Sequence, residues 1–344
     1  MRLGANAGSV RPAQWERLPI MNGHSGMAYM RSCTAIAGVA QMAGCPRLAA
    51  RLTLLGFVAA ALLSGGCGLL AKRPSADNLV ASRQLSLRGL EAVDRQRWDQ
   101  AEDLFAQAVA TCPLDERAQR QYALALWRNG RQPTAIEHMR EAVRLSGGSQ
   151  AYVVQLGHMY LEQGNLAEAQ RQADLALSAD RKLAPAWALQ GEVHRAAGRQ
   201  QEALASFHRA LSYQEHYPEV QIAVAEIYRQ LDRPQRALAT LTALADEYPP
   251  GEEPPKVLYL EGLALKRLGR YREAVETLAA SRDRGTPSAE LLFQLGEAQY
   301  LAGDPGNARL ALSAALDREP DHPAGTRLMA HIERDIERMA ALGR

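Results

Sequence analysis

The chain is poor in the residues that enzymes and metalloproteins concentrate. Its 344 residues hold four cysteines, Cys33, Cys45, Cys67 and Cys112, none in a CxxC pair and none at a Cys/His spacing that would enclose zinc. The eight histidines are scattered, and the sequence places no carboxylate to complete a metal site with His208 and His216. A phosphate-cradling G-x-x-x-x-G-K-[ST] loop is missing, as are H-E-x-x-H, G-x-S-x-G and EF-hand patterns. Gly303-Asp304-Pro305-Gly306 is a turn without the lysine that a phosphate loop needs. No catalytic residue, no metal and no cofactor is therefore expected.

Net charge is nearly absent as well, at +2 from 40 basic and 38 acidic residues. Residues 1–66 carry six arginines against the single acid Glu16, so the remainder sits at about −3. A nucleic-acid partner would require a basic folded domain, and this one is not basic by net charge. Aromatics make up only 6% of the chain beside 47% hydrophobic residues, as expected of helices rich in alanine and leucine.

What the chain does have is a period. An alanine recurs at Ala101, Ala135, Ala169, Ala203, Ala237, Ala274 and Ala308, at steps of 34 residues with one step of 37. Twelve residues before each stands glycine or alanine: Gly89, Ala123, Gly157, Gly191, Ala225, Gly262 and Gly296. Two small positions on two helices let their backbones approach closely. Larger apolar residues then fill the space around them, as Phe105, Met139, Phe207, Leu241, Leu278 and Leu312 do. Gly130, Gly164, Gly198, Gly269 and Gly303 mark where the first helix ends in a left-handed residue. Glu168, Glu202 and Glu273 enter the first turn of the second helix, where the helix dipole favours acids. Pro113, Pro249 and Pro320 close three of the units. Each unit is helix, tight turn, helix, and a period of this length signals a solenoid.

These marks, clearest in residues 184–217, resemble the tetratricopeptide repeat (TPR) pattern W-x2-L-G-x2-Y…A-x3-F…P. The resemblance covers residues 82–322 and implies an all-α superhelical solenoid of seven units: 82–115, 116–149, 150–183, 184–217, 218–251, 255–288 and 289–322. Three inserted residues, Glu252–Pro254, account for the long step. Unit two departs from the pattern at Gln119 and Gly147, and unit five at Gln221 and Asp232. Residues 323–344 repeat Leu328, Ile332, Ile336 and Met339 or Leu342 at helical spacing and are expected to cap the array.

Upstream, residues 1–41 lack periodicity and read as a leader, disordered or preceding the true translation start. From Met42, Arg47 and Arg51 precede the uncharged run Leu52–Leu63, and Ser64-Gly65-Gly66 leads into Cys67. Positive start, short apolar core and small residues make a signal peptide over 42–66. The apolar run is shorter than the roughly 20 residues that a membrane-spanning helix needs. Cys67 after small residues resembles the lipobox of bacterial lipoproteins, although Ser64 stands where the family usually has leucine. That resemblance implies acylation at Cys67 and a lipid-anchored tether over residues 67–81, and Gly68 after it implies the outer membrane. Cys112 would then be the remaining thiol, a small packing residue.

In TPR arrays the first helix of each unit lines a groove that holds peptides. By that resemblance the groove here includes Arg117, Arg120, Trp127, Arg128, Arg195, Arg229, Tyr259, Lys266, Phe293 and Tyr300. The early part combines arginines with Trp127 and the late part clusters aromatics beside two cations, a composition found at interface hot spots. The asparagine used by chaperone-binding TPR domains is absent from all seven units. The expected function is a non-catalytic protein–protein interaction scaffold of the bacterial cell envelope that assists assembly of an envelope complex. Its partners would be proteins or peptides, with the membrane reached through lipid and with no nucleic acid or small-molecule substrate. A cytoplasmic adaptor or co-chaperone, and a helper subunit of a cell-wall enzyme, are the alternatives.

Overall fold

The computed structural model describes residues 76–342, so the leader, the signal segment and Cys67 lie outside the described residues. Fifteen helices follow one another there, and no strand occurs among the described residues. They fall into two compact units whose boundary lies between Met159 and Tyr160.

The first unit contains α1 (Ala76–Asp94), α2 (Trp98–Thr111), α3 (Glu116–Arg128), α4 (Gln132–Leu145) and most of α5 (Gln150–Glu162). Helix α1 packs on α2, α2 on α3 and α3 on α4, while α1 also touches α3. Residues 76–81, expected in a tether, are instead the start of α1. Asp115 ties α3 to α1: its carboxylate accepts the backbone N–H of Arg117 at 3.1 Å and the Ser82 hydroxyl at 3.1 Å.

The second unit continues with α6 (Leu166–Ala179), α7 (Ala184–Ala196), α8 (Gln200–Tyr213), α9 (Pro218–Gln230) and α10 (Pro234–Ala245). It is completed by α11 (Pro255–Arg267), α12 (Tyr271–Arg284), α13 (Ala289–Leu301), α14 (Pro305–Leu316) and α15 (Pro323–Leu342). Sequential neighbours pack again, and the first helices α9, α11, α13 and α15 also touch in that order. The inserted residues lengthen the turn between α10 and α11, where Glu253 accepts the Gly251 N–H at 2.8 Å and pairs with Arg284 at 2.7 Å.

The recurring small residues explain the pairing. All seven marker alanines are at most 1% exposed. A Cβ at Gly89 would lie 2.4 Å from the Phe105 ring, and one at Gly191 would lie 2.5 Å from the Phe207 ring. The equivalent distances are 2.6 Å from Gly262 to Leu278 and 2.9 Å from Gly296 to Leu312. The large residue of the second helix thus occupies the space left by the missing side chain of the first.

The tight turn repeats too. Each first helix closes with a backbone N–H reaching back five residues, as from Arg131 to the Leu126 carbonyl at 2.8 Å and from Arg199 to His194 at 2.9 Å. The residue between takes positive φ, as Gly130 (79°) and Gly198 (74°) do. Where the glycine is missing, Gln96 (58°) and Asp232 (53°) adopt the same left-handed conformation. Closure therefore overrides the local preference of these side chains.

The final helix covers the end of the array. Ile332 is fully buried among Leu292, Phe293, Leu312 and Ala315, with Leu328, Met329 and Ile336 packed around it.

This packing can be tested at two positions. Gly191→Val should force the Phe207 ring away and destabilise the chain by about 1–3 kcal/mol, as overpacking does; an unchanged thermal melt by circular dichroism would contradict the close-approach account. Gln96→Gly should do the opposite, raising stability by roughly 1 kcal/mol because the left-handed conformation penalises residues with a Cβ. Urea titration reads that gain directly.

Candidate partner-binding face

The stripe Arg117, Arg120, Leu124 and Arg128 runs down α3, because residues three and four apart share a helix face. Arg117 is exposed, 3.9 Å from the Glu116 carboxylate. Arg120 is half-buried and donates from Nε to the Gln155 side-chain oxygen on α5 at 2.6 Å. Its guanidinium carbon stands 5.6 Å from the Tyr152 ring centroid. Burial lowers the pKa of Arg120, and the Tyr152 phenol partly offsets that. Arg128 lies 5.2 Å from the Trp98 ring centroid at the start of α2, a cation–π geometry.

Trp127 does not belong to this face. It is 7% exposed, one of the residues that α3 buries together with Ala118, Ala123, Ala125 and Leu126. The rings that hold the arginines are Tyr152 and Trp98, which the sequence did not single out. A position pairing between successive first helices would have been needed to find Tyr152 and Gln155, 32 and 35 residues beyond Arg120.

In the second unit Arg195, Lys266 and Arg267 are matched by carboxylates of the chain itself. Arg195 donates to Glu192 at 3.0 Å and stands 3.7 Å from Glu226, which also pairs with Lys256 at 2.8 Å. Arg267 makes a two-pronged pair with Asp232 at 2.8 and 2.9 Å. The Lys266 ammonium, expected to face a partner, is instead held by Glu297 and the Gln294 carbonyl. Arg229 remains exposed, without an ion pair among the described residues.

The late aromatic cluster is also corrected. Phe293 is 9% exposed and stacks on His322 with centroids 4.7 Å apart. The Tyr300 hydroxyl donates to Asp335 at 2.5 Å and its ring meets His331 edge-on at 5.6 Å. The capping helix α15 therefore occupies the positions that a peptide was expected to take. Tyr259 is half-buried between apolar clusters, and burial raises its phenol pKa.

No group of three or more metal-ligating side chains is assembled among the described residues. His208 faces the Tyr228 hydroxyl at 3.1 Å, whereas His216 does find a carboxylate, Glu247. No helix among the described residues is long and apolar enough to cross a membrane.

Models of the tetratricopeptide repeat match residues 86–149, 194–254 and 259–323, more than half of the chain. The chain belongs to the TPR family. Two solved structures share the fold of this TPR protein. One, a tetratricopeptide repeat protein of Parabacteroides merdae, is 14% identical with a TM-score of 0.53, covering 74% of this chain and 99% of its own. The other, PilF of Pseudomonas aeruginosa, is 17% identical with a TM-score of 0.56, covering 63% of this chain and 97% of its own. No curated protein sequence matches it.

One titration follows from the α5 part of this face. Burial pushes the His158 imidazole down to about 4, against about 6.5 when unfolded. The unfolded chain binds the proton first, so His158 lets stability drain as pH falls from about 6.5 towards 4, with the full value above that window. Thermal melts across the window should show the loss, and His158→Leu should flatten it; an identical pH profile for the variant would refute this assignment.

Proposed function

We propose that this TPR protein is a non-catalytic scaffold of the bacterial cell envelope, anchored through lipid at Cys67, that holds protein partners while an envelope complex assembles. Family membership supports the interaction scaffold. The observation that carries the reading to a particular face is the half-buried Arg120 on the polar stripe of α3, which meets the neutral Gln155 side chain and no carboxylate among the described residues. The envelope and the anchor rest on the order of Arg47 and Arg51, Leu52–Leu63, Ser64-Gly65-Gly66 and Cys67.

Two measurements test the two halves. The intact mass of the native protein from fractionated cells should correspond to a chain beginning at Cys67 with added acyl mass, in the membrane fraction. A full-length unmodified chain in the soluble fraction would overturn the anchor and make the same scaffold a cytoplasmic adaptor. For the face, a photo-crosslinking amino acid replacing Leu124 should capture partner protein in cells, whereas the same probe replacing the exposed Leu175 on α6 should not. Adducts at 175 alone would move the binding face to the second helices.

A further inference from the structure

We propose that the α3 face of the first unit binds an acidic peptide segment of the partner, with a side-chain carboxylate seated against the Arg120 guanidinium. The inference rests on the scaffold reading above and adds the chemistry of the ligand.

Arg120 on α3 meets no carboxylate of the chain among the described residues. Arg120 has a fork of N–H donors, of which Nε alone is engaged, by the neutral Gln155 carboxamide at 2.6 Å. Its Nη1 and Nη2 groups have no hydrogen bond among the described residues. The Tyr152 ring supports the guanidinium from one side without neutralising it. Nearby acids are committed elsewhere: Asp115 is 2% exposed and caps α3, and Glu116 leans towards Arg117. A half-buried cation without a counter-charge is costly, and an incoming carboxylate recovers that cost by accepting two parallel N–H bonds.

The position of the cation selects the partner. Arg117 stands one turn away on the same stripe and supplies a second cation for a neighbouring acid, while Leu124 between Arg120 and Arg128 offers apolar contact. A flat anionic membrane cannot reach a recessed guanidinium as a flexible side chain can, which favours a peptide over a lipid surface. Charge complementarity also separates this face from the second unit, where Arg195, Lys266 and Arg267 already hold carboxylates of the chain.

The test uses the full chain and a fluorescein-labelled peptide of alternating Glu and Leu, with a second peptide carrying Gln for every Glu. Fluorescence anisotropy should show the Glu peptide binding at least about tenfold more tightly, with affinity falling as salt is added. Arg120→Gln should abolish that difference, while Arg309→Gln, at an exposed position of the second helix α14, should change Kd by less than about twofold. Equal affinity of the two peptides would overturn the proposal, whatever the variants do. So would loss of binding in Arg309→Gln but not in Arg120→Gln. Retention on phosphatidylglycerol vesicles that depends on Arg120, with neither peptide binding, would overturn it in favour of a membrane surface. If Arg120→Gln melts early, Arg117→Gln replaces it, and a severalfold loss of Glu-peptide affinity is expected there. Crosslinks from position 124 beside equal peptide affinities would leave the scaffold standing without the acidic ligand, whereas no crosslinks and no peptide binding would remove both.

Discussion

Everything in this fold depends on how closely two helix backbones can approach. Gly89, Gly191, Gly262 and Gly296 have no Cβ, and the space is taken by Phe105, Phe207, Leu278 and Leu312 of the following helix. The fully buried alanines of the second helices do the same from the other side. Interiors are packed to crystalline density, so this interlock sets the distance within each pair. The repeated five-residue turn sets its direction, and it is strong enough to hold Gln96 and Asp232 in a conformation that glycine usually supplies. Neither device involves chemistry, and both recur because each unit is stabilised only by its immediate neighbours.

With the backbone fixed in that way, the polar residues of the first helices become a separate problem. In the second unit they solve it among themselves: Glu192, Arg195, Glu226 and Lys256 form a continuous run of pairs. Exposed pairs of this kind contribute little stability each, so their main consequence is that those cations are already matched. In the first unit Arg120 of α3 meets a ring and a carboxamide instead. Aromatic support positions a guanidinium without cancelling its charge. The same repeat position can therefore hold its cation against a carboxylate or against neutral groups.

The capping helix shows how one solution excludes another. A solenoid must shield its last apolar surface, and α15 does so through Ile332 and its neighbours. The terminal segment also stacks His322 on Phe293, and α15 engages Tyr300 through Asp335, two residues that the family resemblance placed in the groove. Shielding the terminus thus engages side chains that a ligand would otherwise find free.

The period alone was enough to determine the architecture. Helix, turn and small-residue contacts are encoded locally or at a fixed step, so the alanines, the glycine turns and the amphipathic end of the chain were legible in the residues themselves. The composition of the binding face was not. Lys266 pairs with Glu297, Arg267 pairs with Asp232, and Arg120 donates to the neutral Gln155, partners 31 to 35 residues apart on neighbouring helices. Trp127 and Phe293 stand at groove positions by count but are buried once packed. A sequence supplies the number of charges and rings on a face. Which of them remain available to a partner depends on side-chain contacts between successive repeats, and those exist only after the helices have stacked.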